Sequence, residues 1–140
     1  MQALDNLVKA GKLKAEPGNE QEMRDLLAMA RTRLGDAKLA GASLEGRFTS
    51  AYNAAHSAAL AALRWRGYRS ENRFLVFQCL SHTLGWPAER WRVLDTAHNA
   101  RNLAEYRGKL NVNESTVEEL IVLIAELIEE VSNLVKPARK

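Results

Sequence analysis

Cysteine is almost missing from this chain: Cys79 stands alone among 140 residues. No internal disulfide can form, and nothing in the cysteine usage points to an oxidising compartment. Proline occurs three times and glycine eight times, far too rarely for a low-complexity or disordered chain. No apolar run approaches the roughly 20 residues of a membrane span; LIVLIA at 120–125 is one of the longest. The start, MQALDNLVKAGK, has no basic segment leading into an apolar core, so no leader is read there. The expectation is a cytoplasmic protein without a transmembrane segment. Charge of one sign is lacking too, since the net charge is only +3, below the excess that dedicated nucleic-acid binders often carry.

What is present is a single domain's worth of chain. At 140 residues with 46% hydrophobic and 26% charged residues, it can bury one sizeable core, and residues 1–140 are read as one domain. Apolar residues recur at three- and four-residue spacing and no alternating strand is convincing, which predicts an all-α fold. A short helix near 2–10 closes at Gly11 and a linker, KLKAEPG, follows, so residues 1–18 precede the main bundle of 19–135. Asn19 and Glu22 read as a helix-start pair for a helix to about Gly41, and Ser43 as the start of a third helix to about Gly67. The small-residue run AYNAAHSAALAAL permits close helix packing and places that third helix centrally. A fourth helix, ENRFLVFQCLSHTL, stops at Gly85; a fifth spans about 88–106 before Gly108; Ser115 and Glu118 read as the capping box of the last, through about Val135.

The last helix carries a wide apolar stripe, Val117, Leu120, Ile121, Ile124, Leu127, Ile128, Val131 and Leu134, extended by Val122 and Leu123. A band this broad fits contact with a second subunit, and equally a central place in the bundle. Its acids, Glu118, Glu119, Glu126, Glu129 and Glu130, form an outer face.

Two stretches hold candidate chemistry. Residues 1–70 carry eleven Lys and Arg against seven Asp and Glu, and the excess peaks in RWRGYRSENR. There Arg64, Arg66, Arg69 and Arg73 interleave with Trp65 and Tyr68, as phosphate contact with base stacking would require; Arg stems covering aromatic rings at a helix end is the other reading. The second stretch is AHNARNLAEYRG, 97–108. At about 100° per residue, Arg101, Glu105 and His98 share a sector with Asn102, Asp95 and Tyr106 beside it, while Val93, Ala97, Ala100 and Ala104 lie opposite and are expected to pack inward. Leu94 and Trp91 fall in the polar sector, so that face is expected to meet a partner or line a groove. An Arg101–Glu105 ion pair with Tyr106 packed at the helix end explains the same residues structurally. One cysteine and three scattered histidines, His56, His82 and His98, give no metal-ligand spacing, and no cofactor motif occurs; His56 and His82 read as ordinary histidines.

From about residue 44 to 135, the alanine-rich helix, the basic Gly-containing turn, RNLAEY, a loop and a long last helix together resemble the HEPN superfamily. The likeness is to its small stand-alone bacterial and archaeal proteins with an Arg-Asn-x-x-x-Tyr element. The resemblance implies an up-and-down four-helix bundle with added short helices, commonly a homodimer. It also implies pairing with a minimal nucleotidyltransferase in toxin–antitoxin modules. In the family's active branch, an Arg, a polar residue and a later His cleave RNA without metal in a groove at the dimer interface. Arg101 and Asn102 match that pattern. Tyr106 stands where the His is expected, and a phenol of pKa near 10 is a poor base at neutral pH. His98, one turn before Arg101, is the other proton-handling candidate. Two expectations follow: a non-catalytic interaction module that binds a partner protein, RNA or nucleotide, or a metal-independent endoribonuclease using Arg101, Asn102, and His98 or Tyr106.

Overall fold

The computed structural model describes residues 2–135; Met1 and the last five residues of the expected 1–140 domain lie outside them. The fold is all-α. Its helices are α1 (Gln2–Lys9), α2 (Glu20–Ala37), α3 (Leu44–Trp65), α4 (Arg73–Gln78), α5 (Leu80–Thr83), α6 (Ala88–Arg107) and α7 (Glu114–Leu134).

Local chemistry sets most of these boundaries. Asn19 Oδ1 accepts from Glu22 N at 2.8 Å and Ser43 Oγ from Gly46 N at 2.9 Å, caps worth about 1 kcal/mol each. Gly108 closes α6 with φ 67°, its N–H donating to Ala104 O at 2.8 Å, a left-handed turn that glycine adopts without a side-chain clash. Three boundaries differ from expectation. The α7 cap is Asn113, whose Oδ1 accepts from Thr116 N at 2.8 Å, so Ser115 lies inside the first turn. Helix α2 ends at Ala37, short of Gly41. The expected fourth helix is broken at Cys79, the shared cap of α4 and α5.

A further difference is a two-residue antiparallel ladder, β1 (Lys14–Ala15) with β2 (Tyr68–Arg69), in the register Lys14 opposite Arg69 and Ala15 opposite Tyr68. It ties the linker after α1 to the turn after α3, and two residues are too short to show alternation in a sequence.

Helix α3 is the centre of the bundle. Ala51, Ala54, Ala55, Ala58, Ala59, Ala61 and Ala62 are all buried, and α3 packs on α2, α7, α4 and α6. The α7 stripe is spent within the chain: Val117, Leu120, Ile121, Ile124, Leu127, Ile128 and Val131 are buried against α2 and α3, leaving Val122 exposed. Leu94 and Trp91 are likewise buried, α6 lying chiefly on α4. The sector that holds Arg101 and His98 is therefore turned inward as well; of the residues expected inside, Ala97 is buried and Ala100 packs on the core, whereas Val93 is exposed.

Candidate functional site

The inward turn of α6 brings the 97–108 stretch against two other helices. Helix α3 supplies Tyr52 and, one turn later, His56; α4 supplies Arg73 in its first turn and Phe77; α6 supplies His98, Arg101 and Asn102. Tyr52, only 1% exposed, is the hub. Its hydroxyl lies 2.9 Å from His98 Nδ1, its ring stacks beside the imidazole with centroids 6.1 Å apart, and Phe77 meets it edge-on at 5.9 Å. Two guanidinium groups flank the same ring, Arg101 at 5.2 Å and Arg73 at 5.4 Å from its centroid, within cation–π range. Arg101 also pairs with Glu105 at 3.2 Å, the ion pair anticipated from their spacing.

His98 is held from both sides, since its Nε2 lies 3.2 Å from Asn102 Nδ2. With that amide donating, the neutral ring carries its proton on Nδ1 and gives it to the Tyr52 oxygen; the reversed amide reverses both bonds. Either way no ring nitrogen is left for a substrate proton. His56 packs edge-on against Phe77 at 6.2 Å. Burial, then the nearby charges of Arg73 and His98, push its pKa down to about 4, so it is neutral at pH 7. His56 Nε2 and Arg73 Nη1 are buried with no hydrogen-bond partner among the described residues. Beside Arg101 runs a small groove of about 200 Å³ bordered by Thr49, Phe48 and Leu110.

Tyr106 stands apart from this cluster. It is 89% exposed, and five residues beyond Arg101 it lies about 140° around the helix from that side chain. The arginines read together from RWRGYRSENR are dispersed. Arg64 is buried, donating to both Glu22 carboxylate oxygens and to the carbonyls of Glu16, Pro17 and Tyr68, so it has no surface for a phosphate. Gly18 leaves room for this knot: a Cβ there would fall 3.0 Å from the Arg64 carbonyl oxygen. Arg69 pairs with Glu16 at 2.6 Å, Arg66 reaches Thr83 O at 3.1 Å, and Arg73 belongs to the Tyr52 cluster. His82 borders a shallow surface depression with Arg66. The acids of α7 are partly neutralised, Arg47 pairing with Glu118 at 2.7 Å and Arg90 with Glu130 at 2.8 Å.

Sequence reasoning missed Tyr52 and gave His56 and Arg73 other roles. The local signal was thin: a Tyr and a His one turn apart on a helix otherwise made of small residues. Cys79 is buried and its thiol is pushed up to about 11, which keeps it protonated at neutral pH. Among the described residues no three His, Cys, Asp or Glu side chains gather as a metal site, and no helix is long and apolar enough to cross a membrane. Comparison with protein-family profiles, with characterised proteins and with solved structures finds no significant match to the chain.

Proposed function

We propose that this chain is a HEPN-like helical interaction module, one half of a toxin–antitoxin-type pair with a minimal nucleotidyltransferase, without efficient catalysis of its own. One observation supports the non-catalytic reading above the others: both ring nitrogens of His98 are engaged, by Tyr52 and by Asn102. A general base needs a lone pair facing its substrate. In this reading Arg101, Tyr52 and His98 hold α6 to α3 and shape the surface that a partner protein, RNA or nucleotide meets. The partner's identity rests on the resemblance of RNLAEY and the helix order alone.

A homodimer belongs to the same proposal. Its support is now the outer face of α6, where Val93, Leu103 and Tyr106 are exposed, in place of the α7 stripe that the chain buries itself. The test is size-exclusion chromatography with light scattering, run on the chain alone and after co-expression with a minimal nucleotidyltransferase. The expected results are a species of twice the 15.6 kDa chain mass and co-elution of the partner. A monomer at micromolar concentration overturns the dimer, because an interface of standard size survives such dilution; separate elution overturns the pairing.

The alternative, a metal-independent endoribonuclease, has its own support: His98, Arg101 and Asn102 converge, with Arg73 added from α4. That gathers the cation and imidazole that cleavage at a 2′-hydroxyl would use.

A further inference from the structure

A cleft of about 320 Å³ opens between the end of α1 with β1 and the segment joining β2 to α4. Its floor is apolar, made of the buried Leu13 and Leu75. Its rim carries Lys12, Lys14, Arg69 and the hydroxyl of Ser70, with Glu71 the one acid.

The rim brings like charges together. Lys14 and Arg69 are direct cross-strand partners, and like charges placed directly opposite on a ladder are destabilising. Arg69 turns to Glu16 at 2.6 Å and Glu22 at 3.4 Å, whereas neither Lys12 nor Lys14 has an ion-pair partner among the described residues. Ser70 Oγ accepts from Asn72 N at 3.1 Å and keeps a proton to donate. Two free ammonium groups and a hydroxyl at one mouth match the acceptor oxygens of a phosphate group. A leucine floor at the low end of the roughly 300–1,000 Å³ of small-molecule sites matches a compact apolar or planar body.

We infer that this cleft binds a small phosphate monoester of about mononucleotide size, with the phosphate between Lys12, Lys14 and Ser70 and the body over Leu13 and Leu75. The site is separate from the Tyr52 cluster and goes beyond the module reading, which can fail without it. The charges set affinity and the leucines set the preference for an ester over the free anion.

The probe is AMP, titrated calorimetrically into the full chain beside adenosine and inorganic phosphate. AMP is expected to bind below about 1 mM, a range that a few polar contacts over an apolar floor supply. Adenosine and phosphate each bind about tenfold or more weakly, and the Lys12→Glu, Lys14→Glu double variant weakens AMP by at least about tenfold. Both lysines are exposed, so the variant keeps its fold and its circular dichroism. Absence of AMP binding, phosphate binding as tight as AMP, or an AMP affinity that the double variant leaves intact overturns the proposal.

Discussion

Arg64→Ala lowers the stability of the chain by about 3 kcal/mol, from the lost packing of a buried side chain and several lost hydrogen bonds to charged and carbonyl oxygens. The side chain is 1% exposed and joins three segments: the linker at Glu16 and Pro17, the first turn of α2 at Glu22, and β2 at Tyr68. Without it the carbonyl of the buried Tyr68 loses a donor, while the Glu16 and Glu22 carboxylates, partly exposed, lose their ion pair and turn to water. Thermal unfolding followed by circular dichroism should show Tm falling by about 10 °C or more, against a shift within about 2 °C for the exposed neighbour Arg66→Ala. A fall of only a few degrees for Arg64→Ala would mean the knot is incidental to the fold. The pH dependence carries the same information. Hydrogen bonding from Arg64 holds the Glu22 carboxyl below its ordinary range, so its contribution is present above the unfolded value and is lost as pH falls through the folded one. In Arg64→Ala that part of the acid sensitivity should shrink.

Phe77→Ala has the second large effect, because Phe77 is fully buried and meets both Tyr52 and His56 edge-on. The expected loss is about 3–5 kcal/mol, from transfer and from the cavity left behind. It also rewets His56, whose depressed pKa comes first from burial. In the wild type, the unfolded chain takes up a proton on this ring between its ordinary 6.5 and about 4 while the folded chain does not. Stability contributed by neutral His56 therefore falls as pH drops through that window. Proton NMR of the imidazole should place the wild-type titration near 4 and move it up in Phe77→Ala, or in the gentler Phe77→Leu should the first variant unfold. A titration that does not move would show that Phe77 is not what keeps water from the ring.

Much of the fold was legible because its signals are local. Asn19, Ser43 and Gly108 cap helices through atoms three or four residues away, and the alanine run of α3 reports directly how near its neighbours can come. The misreadings have equally specific causes. Ser115 fits a capping pattern that Asn113 also fits two residues earlier, and the asparagine reaches the Thr116 amide. On α6, the polar sector with Leu94 and Trp91 is expected to meet a partner or line a groove, yet it is covered within the chain, where Tyr52 bonds His98 and Arg73 lies over the same ring. That arrangement joins residues 52, 73 and 98, and no periodicity within one helix encodes it. The Arg64 to Arg73 series shows the reverse: close in sequence, the side chains part company, Arg64 and Arg69 sharing Glu16 and Glu22 while Arg66 reaches the Thr83 carbonyl and Arg73 the Tyr52 ring.

Incubating the purified protein with RNA in the absence of metal tests the proposal that His98, engaged by Tyr52 and Asn102, leaves the chain without a working base. The result expected is intact RNA from the wild type and from Arg101→Ala alike. Tyr106→His should also leave RNA uncut, since that position is 89% exposed and faces away from Arg101. Cleavage by the wild type that Arg101→Ala abolishes and His98→Ala reduces by about 10²-fold or more would contradict the claim and establish the ribonuclease reading in its place.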